Sequence, residues 1–115
     1  MAKPESEFFP TGRIPWKPVK GVPGQWEKIL SRDDETGSYT RMLKFEPGCE
    51  TLESLVHEFW EEVYIIKGSI IDKGKGNQEF EGGMYACRPP GMNHGPYLSP
   101  RGCVTIEMRY WIRRK

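Results

Sequence analysis

From Trp26 onward, short runs of aromatic and β-branched residues alternate with polar positions, and clusters of Gly, Pro, Asp and Asn interrupt them about every ten residues. Alternation of this kind belongs to half-buried strands, and its regular interruption to an all-β sandwich or barrel. The runs predict strands near 25–31, 38–46, 51–57, 61–67, 69–73, 77–80, 84–88, 94–98 and 103–111. Asp33-Asp34-Glu35-Thr36-Gly37 and Gly74-Lys75-Gly76-Asn77 carry turn chemistry and should each close a hairpin. Residues 1–24 differ: five of the ten prolines and three glycines fall there, which excludes a helix or a central strand. That stretch is expected to be an extended arm or edge strand ahead of a barrel domain spanning 25–115.

One window conflicts with this reading. Leu52, Leu55, Val56, Phe59, Trp60, Val63 and Ile66 fall at helical spacing. The strand-like neighbours on both sides and the run Val63-Tyr64-Ile65-Ile66 outweigh it, because tertiary context overrides such local patterns.

Length and charge narrow the choices. A chain of 115 residues fits one domain, burying roughly 65% of its unfolded surface on folding. Net charge is +1, and the only basic cluster is Arg113-Arg114-Lys115, so no nucleic-acid partner is expected. No apolar run approaches the ~20 residues of a membrane span, so no membrane partner is expected either. Cys49, Cys87 and Cys103 make an odd, widely spaced set, which suggests free thiols in a cytoplasmic setting. Cys87 reads as a buried thiol rather than a soft ligand.

The chemistry concentrates in two segments. The chain has two histidines, His57 in GCETLESLVHEFWEEVYIIKG (48–68) and His94 in GMYACRPPGMNH (83–94). Imidazole and carboxylate converging in a small core most often serve a divalent metal. On one straight strand His57 and Glu61 would lie ~13 Å apart, so the chain must turn at Glu58-Phe59-Trp60 to present them from adjacent strands. Pro89-Pro90-Gly91 forces a second turn that brings His94 inward. Together they make a two-histidine, one-carboxylate set with open positions. Glu53 shares strand parity with His57 and is a further candidate oxygen ligand, or else a solvated carboxylate at the strand entry. Glu62 faces the other way.

These segments resemble the cupin superfamily, whose motifs run G-x5-HxH-x3,4-E-x6-G and G-x5-P-x-G-x2-H-x3-N. Gly83, Pro89, Gly91 and His94 match the second; His57, Glu61 and Gly68 match the end of the first. Two positions depart: Leu55 stands where the pair's first histidine belongs, and Leu98 where the final asparagine belongs. Within cupins, Glu61-Glu62-Val63-Tyr64, Gly68-Ser69-Ile70-Ile71-Asp72 and Pro89-Pro90-Gly91-Met92-Asn93-His94-Gly95-Pro96 are similar to the ChrR-like anti-sigma-factor domains. Their stand-alone relatives include dioxygenases that cleave diketones and hydroxyacetophenones. The resemblance implies a single-domain, RmlC-like jelly-roll barrel holding a divalent ion (Fe, Zn, Mn or Ni) through His57, Glu61 and His94. It further implies a metal-dependent enzyme for a small carbonyl or aromatic substrate, with dioxygenase-like carbon–carbon cleavage foremost. Non-oxidative decarboxylation, isomerisation or cyclisation is an alternative, as is a non-catalytic sensor.

Other residues admit two readings each. Arg41, on the face of Tyr39, Leu43 and Phe45, either clamps a substrate oxygen as a catalytic residue or forms a rim ion pair. Phe59, Tyr85 and Tyr97, with Trp60, either shape the substrate pocket or fill core and interface. Glu62, Tyr64 and Ile66, grouped with Cys103, Thr105, Glu107, Arg109 and Trp111 as an outward face, suggest a homodimer.

Overall fold

The computed structural model describes residues 3–112; Met1, Ala2 and the Arg113-Arg114-Lys115 cluster lie outside the described residues. Eleven strands run β1 (Lys17–Pro18), β2 (Gln25–Arg32), β3 (Tyr39–Phe45), β4 (Cys49–Glu50), β5 (Leu55–Val56), β6 (Trp60–Asp72), β7 (Gln78–Glu81), β8 (Tyr85–Arg88), β9 (Asn93–His94), β10 (Tyr97–Ser99) and β11 (Cys103–Tyr110). Every pairing is antiparallel. Nine strands form one curled sheet, in the order β1-β2-β3-β11-β6-β10-β4 with β7 and β8 also on β6, and β5 and β9 form a separate two-stranded ribbon. The architecture is that of a jelly-roll barrel.

The long strand β6 organises the barrel because it pairs on both edges, with β11 and β8 at its first half and with β10 and β7 at its second. Its sequence expectation was two strands broken at Gly68; the structure has one. A bulge produces the difference in pattern. Val104 pairs with Lys67 and Thr105 with Ile65, so Ile66 is skipped and the side-chain parity flips there. Glu61, Val63 and Ile65 point inward before it. Gly68 then adopts φ +79°, and a Cβ at that position would stand 2.2 Å from the Gly102 carbonyl oxygen. Glycine is therefore required where β6 and the start of β11 cross.

Other predicted boundaries also shift. Of the expected strand 51–57 only β5 is extended, with 51–54 a loop that follows β4, and 94–98 divides into β9 and β10 around Gly95-Pro96, where proline has no N–H for a ladder. Both hairpins form where the turn residues predict them, joining β2 to β3 and β6 to β7. Residues 52–66 are not helical. The arm lies along its own barrel: β1 pairs with β2, and Trp16 sits beneath the ammonium groups of Lys28 and Lys44 at 4.6 and 4.8 Å.

Leu43, Phe45, Cys49, Ile65 and Cys103 form the buried core, backed by Val19, Ile70 and Phe80. It occupies the lower half of the barrel interior. The upper half is polar and ionised, and holds the candidate site.

Candidate metal centre

Three elements bring the chemistry together. The chain bends at Glu58–Phe59, as the spacing of His57 and Glu61 requires, so His57 follows β5 while Glu61 enters β6. In the second segment, Gly91 takes φ +83°, Met92 N–H donates to the Pro89 carbonyl, and Gly91 N–H donates to the His57 carbonyl at 2.9 Å. The proline turn is thereby docked on the backbone of the first histidine. β9 then pairs with β5, setting His94 opposite Leu55.

His57, Glu61 and His94 each offer a donor atom, all within 4.8 Å of one another. The imidazole centroids are 5.0 Å apart. His57 stacks on Phe59 at 4.4 Å. Glu61 is 4% exposed and binds Arg88 at 3.0 Å and Arg109 at 3.6 Å. Burial opposes its charge, but Arg88, His94 and Arg109 outweigh that and hold its carboxyl below the usual range. Both histidines are pushed the other way: burial, then the neighbouring arginines, lower His57 against the pull of Glu61, and bring His94 down to about 4. At neutral pH the set is two neutral imidazoles and one carboxylate, which is the protonation state ligation needs.

The fit to a metal can be tested on His94 itself. Its Nδ1 lies 2.8 Å from the Tyr97 hydroxyl, while its buried Nε2 finds no hydrogen-bond partner among the described residues. An orphaned ring nitrogen in a site that also holds a second imidazole and a carboxylate is what a ligand histidine leaves when its other nitrogen is fixed by a neighbour. At ordinary bond lengths of ~2.1 Å, donors across an ion stand up to ~4.2 Å apart, so the cluster needs only a small closure. The residues fit a divalent ion.

Two cavities meet at this centre. An outer one of about 440 Å³ is lined by Arg41, Leu55, His57, Glu61 and Arg109 among others. An inner one of about 150 Å³ is mostly apolar. Phe45, Arg88, His94, Tyr97 and Glu107 line both.

The predicted residues divide accordingly. His57, Glu61 and His94 come together. Glu53 does not join them: only 55–56 are strand, so the parity argument lapses, and Glu53 sits exposed in a bend at the cavity rim. Arg41 reaches the cavity, but its guanidinium is held by Glu107 at 2.9 Å and Glu27 at 3.4 Å. Tyr97 lines both cavities. Phe59 buttresses His57 and packs edge-on to Trp111, lining neither cavity. Tyr85 edges the inner cavity, while its hydroxyl turns outward to Glu62. Cys87, expected to be buried, is exposed, because Ala86 and Arg88 take the inward positions of β8.

Arg88, Glu107 and Arg109 are the residues that sequence reasoning missed. Glu107, Arg109 and Thr105 were grouped on the outer face with Glu62 and Tyr64, and the register corrects this. Arg109 pairs with Glu61, Glu107 with Val63 and Thr105 with Ile65, all inward, whereas Glu62 and Tyr64 oppose Met108 and Ile106. Only the strand pairing carries that information. For Arg88, the visible signal was its alternation with Tyr85 and Cys87 just before the proline turn.

Comparison with known proteins agrees with the architecture. Residues 5–111 match the profile of the ChrR cupin-like domain. An RmlC-like cupin from Shewanella frigidimarina superposes with a TM-score of 0.76 at 19% identity, covering 99% of this chain and 97% of that one. The polyketide cyclase RemF from Streptomyces resistomycificus gives 0.76 at 18% identity, covering 96% and 83%. An acetylacetone dioxygenase from Acinetobacter johnsonii gives 0.76 at 18% identity, covering 93% and 74%. No curated protein sequence matches.

Proposed function

Since the chain belongs to the ChrR cupin-like family, we propose that it is a metal-dependent enzyme that takes a small carbonyl or aromatic compound through an enolate or phenolate oxygen and cleaves it oxidatively. The observation that carries this reading is the orphaned Nε2 of His94 beside His57 and Glu61. A divalent ion bound there supplies Lewis acidity at the substrate oxygen and, with iron, access to dioxygen chemistry.

The surrounding residues favour an anionic substrate. Arg41, Arg88 and Arg109 face Glu27, Glu61 and Glu107, so the charges balance before any ion enters. A divalent ion adds two positive charges, which substrate anions then offset. The Arg109 Nε is buried without a hydrogen-bond partner among the described residues and can donate to such an oxygen. Leu55 contributes no ligand, which leaves coordination positions facing the outer cavity.

Pentane-2,4-dione is a suitable probe, given the similarity to an acetylacetone dioxygenase. Oxidative cleavage of a 1,3-dione with one dioxygen yields a carboxylic acid and a 2-oxoaldehyde, both oxygen atoms entering the products. Metal content of the purified protein, of His57→Ala and of His94→Ala tests the centre; oxygen uptake by the iron-loaded protein tests the reaction. Undiminished metal in both variants overturns the reading. Dione consumption without oxygen uptake would instead assign non-oxidative chemistry, consistent with the similarity to a polyketide cyclase.

The outer faces of β6 and β8 expose Tyr64, Ile66 and Tyr85. We assign this apolar face to a second copy of the chain. Light scattering that returns a monomer mass at micromolar concentration would remove it.

A further inference from the structure

We propose that the inner cavity is a subsite for a single ring-sized group of the substrate, and that Thr105 reads a hydrogen-bonding atom on that group. This rests on the proposed function and adds to it a residue, Thr105, that would select among substrates by the group they carry into the barrel.

Thr105 is 2% exposed, lines the inner cavity, and its Oγ1 finds no hydrogen-bond partner among the described residues. Leaving a hydroxyl buried and unmatched costs stability, so such a group is retained where something else satisfies it. Most of the wall is apolar, with Val63, Ile65, Ile70, Phe80 and Ala86 among its residues, and the charged side chains of Asp72, Lys75, Arg88 and Glu107 also line it. A cavity of about 150 Å³ with walls of this kind is the size that accepts a benzene ring.

The register gives the depth. Arg109, Glu107 and Thr105 stand opposite Glu61, Val63 and Ile65. Ile65 is four residue steps along β6 from Glu61, so Thr105 lies ~13 Å along the strand from the carboxylate's position, two interior layers below it. A substrate whose oxygens sit at the metal centre would pass His94 and Tyr97, which line both cavities, and place its ring in the inner one. The far edge of that ring then approaches Thr105. An outward-facing threonine would serve no such purpose; the inward register gives it one.

Binding to the zinc-loaded protein, which cannot turn over oxidatively, separates the alternatives. The probes are pentane-2,4-dione, 1-phenylbutane-1,3-dione and 1-(4-hydroxyphenyl)butane-1,3-dione, titrated calorimetrically. The hydroxyphenyl compound is expected to bind tightest. Thr105→Val should weaken it about tenfold, as loss of one buried hydrogen bond does, and leave the phenyl compound unchanged. Ala86→Leu, which narrows the cavity, should weaken both aryl probes and spare pentane-2,4-dione. Thr105→Val should also raise the melting temperature of the unliganded protein, since a methyl replaces an unmatched hydroxyl. Equal affinity for all three probes, or an equal loss of both aryl probes in Thr105→Val, overturns the subsite. So does a lower melting temperature for Thr105→Val, because the hydroxyl would then already be satisfied. If no dione binds at all, the proposed function fails with it; if pentane-2,4-dione binds and the aryl probes gain nothing, only the subsite fails.

Discussion

Leu55 lies directly opposite His94 on the β5–β9 ladder. Opposed side chains of an antiparallel pair share a face, so an apolar residue stands beside the imidazole at the position where related motifs place a histidine. Leu55 is 40% exposed and lines the outer cavity with His57 and Glu61. The donor set is thus open on the side from which a substrate arrives.

Leu55→His should supply a fourth donor and close that opening. Zinc affinity is expected to rise at least about tenfold, while dione binding falls. Competition against a chromophoric chelator measures the first and calorimetry the second. Unchanged zinc affinity would mean that position 55 does not reach the centre.

Tyr97 fixes the ring of His94 through the 2.8 Å contact at Nδ1. Tyr97→Phe removes that contact with little change in volume, and partners of ligand histidines are typically worth ~10–100-fold in metal affinity. Zinc binding should weaken by about that factor, and the melting temperature of metal-free protein should fall as well, because the buried His94 Nδ1 is left without a partner.

Acid should destabilise the metal-free protein in a defined window. Burial, with Arg88 beside it, brings His94 down to about 4 from 6.5, so the unfolded chain takes up the proton more readily than the folded one. The stability at stake is fully present above about pH 6.5 and is lost as pH falls towards 4, amounting to about 3 kcal/mol. His57 shifts in the same direction. Urea midpoints recorded from pH 7 to 4 should fall for the wild type and fall less for His94→Gln; parallel curves would contradict the assignment.

Arg41→Met should uncover a buried charge. Glu107 is nearly inaccessible, and burial already raises its carboxyl against the pull of Arg41. Removing the 2.9 Å partner should cost about 3 kcal/mol at pH 8. The deficit should shrink at pH 5, where protonating Glu107 relieves it. Denaturant unfolding at both pH values checks the difference; a deficit independent of pH would point to lost packing instead.

Local signals made a large part of this site legible. The His57, Glu61 and His94 set is legible because Pro89-Pro90-Gly91 admits few conformations and because His57 and Glu61, too far apart on a straight strand, require a bend between them. The helical spacing of 52–66 misled only in isolation, since strand pairing on both edges of β6 overrides it. The missed residues share a cause. Whether Thr105, Glu107 and Arg109 face inward depends on which residues of β6 they oppose, and a bulge at Ile66 resets that parity. Register is a contact between distant segments, and no window of the sequence contains it. Glu53 shows the complementary limit: parity with His57 holds only on a strand, and residue 53 lies in a bend with its carboxylate exposed, as the solvated reading has it.

The ribbon of β5 and β9 has another consequence. It consists of two residue pairs, and it carries one histidine while positioning the other, whereas Glu61 belongs to a strand flanked on both edges. An ion held by all three residues would therefore act as a removable cross-link between a light flap and a rigid wall. Withdrawing it would loosen the cavity mouth first and leave the barrel standing, so metal supply would govern who may enter as well as what happens inside.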